Sequence, residues 1–296
     1  MANRSQLSVT VCGAALAVAL LAGPAVEAAR AGDAAVSDVN LKISGFGGQL
    51  NPGDGVRGLG GIAASLTLPA GHSFGLQFDG AFAKVGGDDF YDAGAHLFWR
   101  DPGAGLFGVY GGYAHLNALG GLSTRRIGVE AERYSGKLTF EGAVGYETGD
   151  AANGVYGHAK LDYYWTPNLM TSSGFTYEGA GYYSSKAEYQ IRSDDAASVS
   201  LFANSDWHAI DNYMLLGGLK IAFGKNMSLI DRHRKQDPAN YLDPDLIAGA
   251  QAASSRAAGA AAAVCPADPI SVLIVCTCAS GDAPTQSGDF LYCNSL

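Results

Sequence analysis

The segment NYMLLGGLKIAFG, residues 212–224, decides how the rest of the chain is read. Successive side chains of an extended strand point to opposite faces. Here Tyr213, Leu215, Gly217, Leu219, Ile221 and Phe223 share one face, which is apolar along its length and ends in an aromatic ring. Asn212, Met214, Leu216, Gly218, Lys220 and Ala222 share the other, which is mixed and carries a charge. A strand with lipid on one side and a barrel lumen on the other has this pattern.

Working outward from it, the chain from Asp38 onward alternates runs of roughly ten residues with clusters of Gly, Asp, Asn, Pro and Ser, which are strand and turn signals. Twelve strands are predicted, at 38–50, 57–67, 73–85, 90–100, 106–117, 123–134, 137–147, 154–166, 168–178, 183–193, 198–206 and 211–224. Phe74, Leu76, Phe78 and Phe82 oppose Gln77 and Asp79, and Tyr91, Ala93, Ala95, Leu97 and Trp99 oppose Asp92, His96 and Arg100. Leu138, Phe140, Val144 and Tyr146 oppose Lys137, Thr139, Glu141 and Glu147. Val155, Ala159, Leu161, Tyr163 and Trp165 oppose His158, Lys160 and Asp162. The first, second and fifth strands are rich in Gly, and their inward face is ambiguous. Tight connections such as Ser135-Gly136 and Thr166-Pro167-Asn168 alternate with others that are mostly longer, as in transmembrane barrels. The expected fold is therefore all-β, an antiparallel up-and-down transmembrane barrel of about twelve strands with a C-terminal extension. An even strand count puts both ends on one side, taken to be the periplasm, with Trp99, Tyr163, Trp165 and Phe223 as the aromatic girdle there.

The chain then divides into a signal peptide at 1–31, the barrel at 38–224, a periplasmic linker at 225–264 and a cysteine-containing tail at 265–296. Arg4, the apolar run from Val9 to Gly23 and the small residues after it match a secretory signal. That run is shorter than the ~18 residues of a helical span, so residence in a membrane requires a barrel. A formal net charge of -9 without a basic stripe argues against nucleic acid. The partners implied are outer-membrane lipids and the barrel-assembly machinery, and no cofactor is expected.

Gly218-Leu219-Lys220-Ile221-Ala222-Phe223 resembles the glycine-x-x-apolar-x-aromatic signal that closes bacterial outer-membrane barrels, carried here by Gly218, Ile221 and Phe223; Leu216 stands where that signal usually has a polar residue. YYWTPNL (163–169), FTYEG, KAEYQ (186–190), VSLFA (199–203) and LLGGLKIAFG (215–224) resemble a group of alphaproteobacterial outer-membrane β-barrel proteins of unassigned function. SLIDRHRKQDPANYLDPDL (228–246) is similar to the tail that such proteins carry after the last strand. The resemblance covers the second half of the chain. It implies location and architecture, and no activity.

After Gly224, Asp231 to Lys235 form a charged patch that reads as a solvated linker, and Ala250 to Val264 is mostly alanine, a helix or a flexible tether. In the oxidising periplasm Cys265, Cys276, Cys278 and Cys293 are expected to form two disulfides, 265–276 with 278–293 or 265–278 with 276–293. The alternative is a soft-metal site on the Cys-x-Cys pair.

Candidate functional residues are the charges on inward faces: Asp79, Asp92, His96, Arg100, Arg126, Glu130, Glu132, Glu141, His158, Lys160, Asp162, Lys186, Glu188, Arg192 and Lys220. They read as a mutually paired network in a narrow lumen, or as the wall of a small channel. The hairpin centred near residue 151 sets Glu141 opposite about 161, within a residue of Lys160. The expected role is passive, a small porin-like channel or a structural membrane protein, and not an enzyme. Two rivals are a barrel lipid hydrolase, with His96, His115, His158 or His208 as base and outward Ser173 or Ser205 as nucleophile, and a surface adhesion protein.

Overall fold

The computed structural model describes residues 32–118, 121–150, 153–209 and 212–236, with the backbone alone at 180 and 209, and the backbone of 265–266, 285–287 and 290–292. Twelve strands run β1 (Asn40–Pro52), β2 (Arg57–Pro69), β3 (Phe74–Val85), β4 (Asp88–Asp101), β5 (Gly105–Leu116), β6 (Leu122–Ser135), β7 (Leu138–Gly149), β8 (Gly154–Thr166), β9 (Leu169–Glu178), β10 (Ala180–Ser193), β11 (Ala197–Ala209) and β12 (Asn212–Phe223). Each pairs antiparallel with its neighbours, and β12 returns to β1 from Leu41↔Phe223 to Pro52↔Asn212, so the sheet is a closed barrel with no free edge. The sequence places the start of the tenth strand later than the structure does. The ladder resumes at Ala180 because Gly179, with φ 72°, reverses the chain directly after Glu178. The connection between the predicted strands 168–178 and 183–193 is thus a tight turn.

Alternation fixes which side chains leave the wall. Ile62, Phe78, Ile127, Tyr146, Leu161, Leu201 and Leu219 are exposed apolar residues on the outward face. Among the described residues no helix is long and apolar enough to cross a membrane; the crossing elements are the strands, with this face toward lipid. Tyr163, Trp165 and Phe223 point outward at the end of the barrel that carries both termini, here called the terminal mouth; the other end is the loop mouth.

The lumen has three layers. At the loop mouth Leu50, Leu59, Val85, Phe90, Leu116, Leu122, Tyr182, Met214 and Leu216 meet in one buried apolar cluster. A layer of charges fills the middle. The terminal mouth is stopped by two chain segments. One is α1 (Leu229–Lys235), a short helix. Ser228 caps its N-terminus, its side chain accepting from the Asp231 backbone N–H; Asp231 lies in the first turn, and the basic residues lie in the last. Leu229 is buried against Tyr164 and Met170, the Arg232 guanidinium bonds the Ser198 hydroxyl and Gln236, and Arg234 donates to the Leu138 carbonyl at 2.8 Å. The residues that the sequence reads as a solvated linker therefore form a short helix in the terminal mouth, with Leu229 and Arg232 buried and Asp231 and Lys235 still partly exposed. The other segment precedes β1: Val36 packs on Phe98 and Leu106, and the Ser37 N–H donates to the Lys235 carbonyl at 2.8 Å, tying the two stoppers together. Lys235 Nζ also lies 3.1 Å from Asp33. That hydrogen bond holds the Lys235 ammonium above the usual lysine range, so this ion pair persists through neutral pH and is lost as alkaline pH removes the lysine proton.

Glycine shapes the middle layer at one pair. Gly128 and Gly145 face each other across β6 and β7, and a Cβ on either would fall 2.6 Å from the Tyr156 hydroxyl oxygen. The missing side chains make room for the Tyr156 ring. Gly128→Ala is expected to destabilise the barrel by about 1–3 kcal/mol through this overlap, read from the urea midpoint of tryptophan fluorescence; an unchanged midpoint would mean that the ring has space to yield.

A small sheet, in the order β13, β15, β14, joins β13 (Cys265–Pro266), β15 (Phe290–Tyr292) and β14 (Thr285–Ser287). The disulfide expectation, the alanine-rich stretch and the signal peptide lie outside the described residues.

Candidate functional site: the charged layer of the lumen

Four clusters organise the interior. On β3, β4 and β6, His96 Nε2 lies 3.1 Å from Asp79 and Nδ1 lies 3.0 Å from Glu130; the Gln77 amide donates to Asp79, and its oxygen accepts from Thr67. On β6, β7 and β9, Arg126 Nη2 reaches Glu147 and Glu178, each at 3.0 Å, while the guanidinium lies 4.5 Å from the Tyr156 ring centroid. On β7 and β8, Glu141 Oε1 lies 3.0 Å from His158 Nε2 and 3.6 Å from Lys160 Nζ; Lys160 stands directly opposite Glu141 in the ladder. On β10 and β12, Glu188 Oε2 lies 2.6 Å from Lys220 Nζ and 3.6 Å from Lys186 Nζ, and His233 of α1 approaches it at 3.8 Å. A buried charge is tolerated when it is paired, and each of these clusters sets carboxylates against a cation or an imidazole.

The remaining candidates are spread between the wall and the terminal mouth. Asp92 lies on the inward face of β4, half-buried. Arg100 is buried at the terminal mouth, where Nη1 donates to the Ala35 carbonyl at 3.2 Å and the guanidinium lies over Phe98. Glu132 accepts from the Tyr134 hydroxyl at 2.7 Å. Asp162 lies buried on β8. Arg192 is a correction. The ladder shifts between Gln190 and Arg192, a bulge that puts one extra residue into β10. Its side chain leaves the lumen, 73% exposed, and pairs with Asp194 in the turn at 3.0 Å. In the closing strand, Gly218 faces inward beside the Phe202 ring, whereas Ile221 and Phe223 face outward.

The candidates drawn from the sequence omit five groups of this layer. Lys42 is inward on glycine-rich β1, and its parity against outward Ile43 was the available signal. Glu147 and Glu178 have inward parity near strand ends, and Asp206 is inward near the end of β11. His233 arrives on α1, for which the capping pattern Ser228-x-x-Asp231 was the only signal.

Between the clusters and α1 lies a cavity of about 140 Å³, walled by lysines, carboxyls, hydroxyls and the rings of Phe46, Tyr164 and Phe202. That exceeds the ~30 Å³ share of one liquid water. The arrangement offers opposite charges in a confined, partly apolar space. Its histidines are held by carboxylates. Outward Ser173 and Ser205 stand on β9 and β11, while outward His115 lies on β5 across the barrel. His96 and His158 face the lumen.

No family model matches the chain, and neither does any curated protein. Among solved structures it is similar to a KdgM porin, with a TM-score of 0.44 at 10% identity, covering 63% of this chain and 99% of that one. It is also similar to the outer membrane phospholipase A from Escherichia coli, with a TM-score of 0.42 at 13% identity, covering 64% of this chain and 97% of that one. The translocator domain of the autotransporter NalP from Neisseria meningitidis gives 0.44 at 10% identity, covering 74% of this chain and 95% of that one. All three are outer-membrane proteins built on β-barrels.

Proposed function

We propose that this chain is a passive, porin-like barrel of the bacterial outer membrane, held shut in the state described, with both chain ends of the barrel, and so the terminal mouth, in the periplasm. The lipid-facing apolar belt supports the location. The observation that carries the closed state is the layered lumen. The apolar cluster at the loop mouth is buried, and a dry apolar constriction stops ions by excluding water. At the other mouth α1 and the segment before β1 occupy the opening. An enzyme of the lipid edge needs a serine and a histidine within hydrogen-bond reach, and here the outward serines and His115 stand on different sides of the barrel.

Two measurements test the reading. The protein is expected in the outer-membrane fraction, with a folded band that migrates differently from the boiled one; recovery as a soluble periplasmic protein would overturn the location. In planar bilayers the wild type is expected to give no steady ohmic steps. Steps of the size expected for an unobstructed barrel of this strand number would show that the stoppers do not hold in a membrane, and the closed reading would fall.

A further inference from the structure

We propose that the lumen cavity binds a small dipolar solute, one carrying a cationic and an anionic group on a skeleton of amino-acid size. This rests on reading the lumen as the functional part of a porin-like barrel, and it names the solute class.

The cavity has two unlike walls. Lys42, Lys186 and Lys220 line it from β1, β10 and β12, which belong to one arc of the barrel. Glu132, Glu141 and Asp162 line it from β6, β7 and β8, the neighbouring arc. Between the arcs β9 supplies Met170, Ser172 and Thr176, with no charge. Counter-charges exist on both sides: Glu188 and Asp206 lie on the lysine arc, and Lys160 lies on the carboxyl arc. They leave lysines in excess on the first arc and carboxyls in excess on the second.

Fixed groups of opposite sign across a confined space set up a field across it, which water screens less than it would at the surface. A solute of one charge answers one wall and faces repulsion or desolvation at the other. A neutral solute answers neither. A dipolar solute places its anionic end toward the lysines and its cationic end toward the carboxyls. Phe46, Phe202 and Tyr164 supply the apolar surface for the skeleton.

The test uses the full chain in detergent micelles, titrated with alanine, propionate, ethylammonium and glycerol, and followed by saturation-transfer NMR. Alanine is expected to bind with a Kd on the order of 1–10 mM, and each of the other three at least about tenfold more weakly. Asp162→Asn, close in shape, is expected to weaken alanine about tenfold and to leave propionate bound as well as before or better, since repulsion at the carboxyl wall falls. Equal binding of all four probes, or no alanine binding by the wild type, overturns the proposal. The wild-type series decides even if the variant fails to fold. Failure here with the protein still in the outer membrane and the bilayers still silent would sink the solute class alone; loss of those two results would sink the porin-like reading itself.

Discussion

Glu188→Ala is expected to lower the stability of the barrel by about 3–5 kcal/mol, because it strands the nearly buried ammonium of Lys220. Glu188 is 1% exposed. One of its oxygens lies 2.6 Å from Lys220 Nζ, and Lys186 stands within 3.6 Å of the same atom. The pair bridges β10 and β12 across β11, where the intervening inward residue is Phe202, whose ring lies 5.5 Å from the Lys220 ammonium. Alanine leaves Lys220 with an aromatic face and no anion. Lys160→Ala should cost far less, about 1 kcal/mol or below, because Glu141 keeps His158 at 3.0 Å and the Lys160 side chain retains some exposure. The two variants are compared by the temperature at which the compact band converts to the unfolded one. Equal losses would mean that the middle layer is wet enough to screen both sites alike.

Met214→Asp is the second large change. Met214 is wholly buried in the apolar cluster of the loop mouth, with Leu50, Phe90, Leu122 and Tyr182 in the same cluster. A carboxylate there stands opposite buried Asp206 in the β11–β12 ladder, and burying it among apolar side chains beside a like charge costs several kcal/mol. Met214→Leu keeps volume and polarity and should cost less than about 1.5 kcal/mol. If Met214→Asp folds with ordinary heat stability, the layer already admits water and does not seal the barrel. Bilayer recordings of the same variant read the consequence directly, since a hydrated layer removes the dewetted barrier.

Much of the wall was legible in the sequence because a strand is a local object. Alternation alone assigns Phe74, Leu76 and Phe78 to one face and Gln77 and Asp79 to the other, and the structure keeps that assignment. The register of a short hairpin is local too, which is why Glu141 could be set beside Lys160 from the position of the turn alone. The closing strand could be recognised from its one apolar face and its terminal aromatic.

The contents of the lumen belong to the tertiary structure. Whether an inward residue meets a charge, a ring or a void depends on which residues share its height around a closed sheet, and the partners are far apart in sequence. His96 meets Glu130, Arg126 meets Glu178, and Glu188 meets both Lys220 and His233. Arg192 shows how one inserted residue defeats the alternation rule, since the bulge reverses the parity of the residues beyond it. The segment 228–236 shows the same limit from the other side. Its composition is that of a solvated linker, and only the open mouth of the barrel, lined by Tyr134, Thr139, Tyr164 and Ser198, gives its arginines hydrogen bonds and aromatic faces worth leaving water for. The sequence by itself determined a closed wall of twelve strands with lipid outside, because that information repeats every two residues. Only the tertiary structure decided that the wall encloses a stoppered, layered interior, because side chains from strands distant in sequence must meet before any of them has a partner.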